Sequence, residues 1–157
     1  MSGNGIPSNY GDTTAVYTAL VGGLQVGMYD GQVNTWRQRI FVQNNPSGST
    51  IAIGAALKFT AGSAASYEVD ATTGTGDVCV GINDAAGATI PAGSYFWMTV
   101  RGFCKPLVLN GVTQGQVLAP SATTGVLQQS AGDFQGNISA AAAQSGGGNT
   151  QTLCWMA

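Results

Sequence analysis

The chain has 157 residues, of which only 8% are Asp, Glu, Lys or Arg; it holds 24 glycines and no histidine. An ordinary soluble domain carries about 25% charged residues and ~7% glycine. The missing histidine rules out Ser-His-Asp and Cys-His chemistry and any His-containing zinc site. Five basic against seven acidic residues exclude the many phosphate contacts that nucleic-acid affinity requires, and a 44% hydrophobic content with Trp, Tyr and Phe spread along the chain argues against disorder.

The length suits one domain, large enough to bury a core without metals or disulfides. The stretch from Met1 to Pro7 has no Lys or Arg and no apolar run, so no signal peptide is expected. The apolar stretch from Ala15 to Met28 is broken by Tyr17, Thr18, Gln25 and glycines, too short and interrupted for a membrane helix. A protein made and folded in the cytosol, with no membrane partner, is expected. Without secretion, the glycosylation pattern Asn137-Ile138-Ser139 carries no meaning. Cys79, Cys104 and Cys154 are odd in number, so at least one is unpaired. Each is expected as a small buried hydrophobe.

Residues 1–35 are rich in Gly, Asn, Ser and Thr and show no sustained period. They read either as a loosely ordered arm or as an extended arm whose partners lie on another chain. Ile6, Tyr10, Tyr17 and Leu20 are its candidate partner-binding residues. From Trp36 onward, over the domain at 36–157, the period is two. Trp36, Ile40 and Val42 alternate with Arg37, Arg39, Phe41 and Gln43. After the turn composition of 44–48, Ile51, Ile53, Ala55, Leu57 and Phe59 alternate with Ala52, Gly54, Ala56 and Lys58. Tyr67 and Val69 alternate with Glu68 and Asp70, and Val78, Val80 and Ile82 with Cys79, Gly81 and Asn83.

The longest apolar run, Tyr95 to Val100, has Tyr95 and Trp97 on one face and Phe96, Met98 and Val100 on the other, as in a strand covered on both sides. Gly102 marks a bulge or a close backbone approach. Leu107-Val108-Leu109 continues, and Asn110-Gly111 is a hairpin-type turn signal. Val117-Leu118-Ala119 is a short strand ending at Pro120. Residues 125–127 and 137–139 are weaker candidates, and Ala140–Ala143 could make one helical turn. Residues 145–149 read as a flexible hairpin tip, and Thr150 to Met156 as a final strand carrying Leu153 and Trp155. Short strands with regular turn signals predict an all-β fold: an antiparallel sandwich or barrel.

Candidates for chemistry are few. Glu68 and Asp70 share a strand face, either solvated or as an acid–base pair, and with Asp77 could hold Ca²⁺ only without loop-motif spacing. Gly74-Thr75-Gly76-Asp77 begins like a dinucleotide fingerprint, but Cys79 stands where the third glycine belongs. Lys58 or Lys105 could act as the base of a dyad, though no local pattern points to one. Arg101 and Lys105 flank the aromatic strand as solvated strand ends or as a clamp for a ligand carboxylate. Tyr95, Trp97 and Trp155 are core aromatics or sugar platforms. No catalytic residue, metal or cofactor is assigned. With so few charges, the surface must be largely Gly, Ala, Ser, Thr, Asn and Gln, which suits a protein that spends its life assembled, since most charges are depleted from interface cores.

Three stretches carry a likeness: 76–84 (Gly-Asp-Val-Cys-Val-Gly-Ile-Asn-Asp), 93–102 (Gly-Ser-Tyr-Phe-Trp-Met-Thr-Val-Arg-Gly) and 115–121 (Gly-Gln-Val-Leu-Ala-Pro-Ser), followed by Thr123-Thr124-Gly125. Together, over residues 76–135, they resemble the capsid decoration (cement) proteins of tailed bacteriophages. The resemblance implies a β-rich domain, sandwich-like or a β-tulip, on the outside of a virion. It would bind the major capsid protein, form a homotrimer and reach neighbouring subunits through a terminal arm, with no enzymatic activity. The alternatives are a tail or baseplate subunit and a glycan-binding adhesive module of the virion.

Overall fold

The structure is a computed structural model that describes residues 15–18, 37–61, 67–84, 87–131, 137–144 and 147–157, together with the backbone of 29–32. Among these residues the chain forms twelve strands and no helix: β1 (Tyr29–Gln32), β2 (Arg37–Asn44), β3 (Ala56–Phe59), β4 (Glu68–Ala71), β5 (Gly81–Ile82), β6 (Tyr95–Cys104), β7 (Leu107–Val108), β8 (Val117–Pro120), β9 (Leu127–Gln129), β10 (Ile138–Ala140), β11 (Thr150–Gln151) and β12 (Cys154–Met156). The fold is all-β, as the period-two alternation requires.

The pairings make two circuits. In the first, β2 pairs with β4, β4 with β3, β3 with β5, β5 with β6, and β6 returns to β2, where Phe41 faces Trp97. In the second, the end of β6 pairs with β12, β12 with β10, β10 with β8, β8 with β9, β9 with β7, and β7 with β11. The Thr152 N–H donates to the Pro106 carbonyl at 3.1 Å, so β6–β7 and β11–β12 run as one interrupted ladder and this circuit closes too.

The ten-residue β6 is long enough, at about 33 Å, to serve both circuits. Where it passes from one to the other, the register against β2 shifts between Gln38 and Arg39, leaving Val100 as an extra residue opposite them. Gly102 follows at φ +91°, a conformation natural to glycine. A bulge of this kind increases local twist and turns the strand; it lies at Val100, two residues before Gly102, where the sequence predicts a bulge or a close backbone approach.

Each circuit encloses its own core. Val42, Ile51, Ala55, Leu57, Val69, Ile90, Phe96 and Met98 fill the first. Cys104, Val108, Val112, Leu118, Leu127, Ile138, Ala140, Cys154 and Met156 fill the second, joined by Ala56 and Ile82 from the wall between them. That wall explains the apolar residues on both faces of β3, with Leu57 turned to one core and Ala56 to the other. A third cluster lies on the opposite face of β2 and β6, where Phe41 and Trp97 are packed with Tyr17 and Tyr95.

Several expectations change. The sheet is mixed and not purely antiparallel, because β2–β4 and β7–β9 run parallel: β3 folds back on β4 and brings it alongside β2 in the same direction. Phe41 keeps its expected place on the face opposite Val42, and that face is covered as well, with Phe41 fully buried. Val78, Val80 and Ile82, expected on one face, separate: Val78 is 74% exposed, Val80 packs against the first core and Ile82 lies in the second. The Asp77 carboxylate ties back the preceding loop, accepting the Thr73 N–H at 2.6 Å and the Gly74 N–H at 3.1 Å, so pairing begins only at Gly81. Asn110-Gly111 is a turn with Gly111 at φ +94°, yet β7 and β8 do not pair with each other. Ala140–Ala143 makes no helical turn: Ala140 ends β10, and the N–H groups of Ala141 and Ala142 both donate across to the Leu153 carbonyl.

Of the first 35 residues, the two described pieces are hydrogen-bonded to this body. Residues 29–32 pair with β2. Tyr17 exchanges both backbone bonds with Tyr95, at 2.9 and 2.7 Å, and sets its ring edge-on to Phe41 at 5.8 Å.

Candidate functional site

The second circuit turns an unusual face outward. Along β6 and the residue after it, Cys104 points into the core, so Arg101, Phe103 and Lys105 point out, and all three are exposed. On β12, Cys154 and Met156 point in, which puts Trp155 on the outside with Leu153 two residues before it. The register then lines up one row across four strands: Phe103 opposite Trp155, Trp155 opposite Ser139, Ser139 opposite Val117. Phe103 and Trp155 meet edge to face, with centroids 4.9 Å apart at 75°, a favoured aromatic geometry. Phe103 is 42% exposed, and Val117 and Leu153 are each 38% exposed.

Two cations rim this row. Arg101 and Lys105 stand two residues either side of Phe103, and neither forms an ion pair with any described residue. Among the described residues the ion pairs are Lys58 with Asp77 at 3.0 Å and, against β6 itself, Arg37 with Asp84 at 3.7 Å.

A buried carboxylate holds this part of β6 in place. The Asp84 side chain is 3% exposed. It accepts the Thr99 hydroxyl at 2.5 Å and the Lys105 N–H at 3.0 Å. Arg37, its ion-pair partner, also donates from Nε to the Phe103 carbonyl at 2.7 Å. The backbone from 99 to 105 is therefore fixed at several points, and the Phe103 face with it.

The other candidates are occupied structurally. Glu68 and Asp70 lie on β4, where the Asp70 carboxylate accepts from Asn45 at 3.1 Å and Thr60 at 2.9 Å. A cleft of about 310 Å³ there has Ser49, Thr50, Lys58, Asp70, Ala71 and Thr73 in its lining. Lys58 is spent on Asp77 and on Thr73. Burial pushes the Asp77 carboxyl up, but the Thr73 N–H, Lys58 and the Gly74 N–H outweigh it and hold the group below its usual range. The segment Gly74–Asp77 is thus a carboxylate-capped loop with no helix after it. Among the described residues no three His, Cys, Asp or Glu side chains are grouped to hold a metal ion, and no helix is long and apolar enough to cross a membrane.

The thiols are free. Cys104 and Cys154 are buried and directly opposed. Burial pushes Cys79 and Cys154 up to about 11, and raises Cys104 as well, with the charge of Asp84 adding to it. Such thiols stay protonated and act as packing groups.

The three aromatics named as possible sugar platforms separate. Trp97 is 2% exposed, 5.2 Å from Phe41, and Tyr95 is stacked on Phe41 at 6.1 Å; the Trp97 ring has no open face for a ligand. Trp155 is half-buried on the outward row. Of the candidate partner-binding residues, Tyr17 makes the internal contacts given above, and Ile6, Tyr10 and Leu20 lie outside the described residues.

Phe103 is the member of the face that reading the sequence missed. The signal was present in the alternation Arg101, Phe103, Lys105 against Gly102 and Cys104. Its meaning depends on Trp155, 52 positions away. The chain matches no family model, no curated protein and no solved structure.

Proposed function

We propose that this chain is a non-enzymatic structural protein of a virion, a decoration protein that binds the outer surface of the capsid and bridges major capsid protein subunits as a trimer. The observation that carries the reading is the outward row of Phe103, Trp155, Leu153 and Val117 in a chain with 8% charged residues. An exposed apolar patch rimmed by polar groups marks a binding surface, and a body so poor in charge is suited to lasting contact. The likeness of residues 76–135 to cement proteins supplies the kind of partner.

The mechanism is mechanical. Genome packing loads the shell from within, and a protein bound across a subunit boundary adds contact area where the shell would part. Whatever binds the assembled form stabilises it by mass action, and attachment through three copies raises avidity without tighter single contacts. The test is to heat particles of the virus that encodes the chain, with and without it. Decorated particles should release their genome at a higher temperature; an equal rupture temperature contradicts the proposal.

The half-exposed Trp155 ring beside Phe103 favours one second reading, a glycan-binding module of the virion. A glycan array compared between wild type and Trp155→Ala separates the two, because a cement protein shows no glycan signal that depends on Trp155.

A further inference from the structure

Resting on the decoration reading, we infer that the Phe103–Trp155 face is the docking surface, and that its occupant is a protein surface presenting an apolar side chain between two carboxylates. The apolar centre and the cationic rim come from one stretch of chain. Arg101 lies on β6 and Lys105 just past its end, four residues on and at most about 13 Å along the chain, with Phe103 midway and Trp155 against it. Both cations are exposed and without an ion-pair partner among the described residues, in a chain whose net charge is −2. Opposite charge at this spacing is what the rim can reward, and rim charges govern orientation and encounter more than raw affinity.

The size of the face argues against a second copy as occupant. Four strands at ~4.8 Å spacing and five residues of length give on the order of 300–400 Å². A stable pairwise interface takes about 800 Å² from each partner. Two such faces laid on one another would also set cation against cation. A surface this small holds when it is repeated, as on a shell lattice where several weak contacts act together.

The probe is a capped peptide, Glu-Ser-Leu-Ser-Glu, with its Gln-Ser-Leu-Ser-Gln counterpart, titrated into the full-length protein and followed by amide and indole chemical shifts. Saturable shifts confined to residues 101–105, 117 and 153–155 are expected. Affinity should fall about three- to tenfold with the glutamine peptide, and further in the doubly charge-reversed variant R101E/K105E, where attraction becomes repulsion. Both substitutions are on exposed side chains, and an unchanged spectrum away from the face checks that the variant is folded. No saturable shift, shifts centred elsewhere, or equal binding of the two peptides overturns the inference. Shell binding then separates this inference from the decoration reading. If R101E/K105E occupies and stabilises particles as well as wild type does, the face assignment fails and the decoration reading stands. If the peptide results hold while wild-type protein ignores the shell, the decoration reading fails and the face assignment stands.

Discussion

Gly125 sits where the two circuits are stitched together, and replacing it with alanine isolates the energetics of that joint. Its carbonyl accepts the Ala56 N–H at 2.8 Å and its own N–H donates to the Thr72 carbonyl at 2.7 Å. Its φ is +70°, and a Cβ placed there would lie 2.8 Å from the Ala55 Cβ. Two penalties follow for Gly125→Ala. Forcing an L-residue into left-handed backbone costs about 1–2 kcal/mol, and pressing a methyl into a packed site costs about 1–3 kcal/mol more. Against a total stability of roughly 5–15 kcal/mol, the combined loss of about 2–5 kcal/mol lowers the thermal midpoint by ~5–15 °C. Urea unfolding followed by tryptophan fluorescence measures it. Gly111→Ala is the control, because Gly111 has φ +94° with open space around its missing Cβ, so it bears the backbone penalty alone. The double change Ala55→Gly with Gly125→Ala should recover the steric part. If Gly125→Ala costs no more than Gly111→Ala, the close approach at the joint is wrong.

Asp84→Ala strips the Thr99 hydroxyl, the Lys105 N–H and Arg37 of their shared acceptor and should destabilise by about 3 kcal/mol in the same urea assay. A loss under ~1 kcal/mol would mean that Asp84 does not anchor β6. Asp77 sets a pH dependence. Its folded-state pKa is held low, so its stabilisation is fully present above the ordinary aspartate value near ~4 and drains away as pH falls from there through the lowered folded-state value. The stability gap between wild type and Asp77→Asn should therefore be constant from about pH 5 to 7 and shrink below ~4; a gap independent of pH would count against the capping role.

Local alternation in the sequence carried much of this fold. The run from Tyr95 to Val100 has apolar residues on both faces, and in the structure Phe96 and Met98 enter the first core while Trp97 joins Phe41 on the other side. Val117–Pro120 followed from the same logic, whereas the single final strand expected over Thr150 to Met156 is two short ones, β11 and β12, interrupted at Thr152 and Leu153. What alternation cannot carry is the partner of each strand. The parallel pairing of β2 with β4, the closing of each circuit and the sharing of β6 depend on contacts far apart in the chain, and no residue spacing encodes them. Val78 shows the limit at short range: its pattern continues that of Val80 and Ile82, but the hydrogen bonds to the Asp77 carboxylate decide the backbone. The candidate site was legible in parts. Arg101 and Lys105 stood out as flanking charges and Trp155 as an aromatic of the last strand, but only the register between β6 and β12 joins them through Phe103.

The most direct measurement is a side-chain footprint of the protein, free and bound to particles, by hydroxyl-radical labelling read residue by residue. Phe103, Leu153 and Trp155 should lose most of their labelling on the shell while Val78, exposed on the other circuit, keeps its own. Equal labelling of Phe103 and Trp155 in the two states, with protection appearing at Val78 instead, would contradict docking through this face.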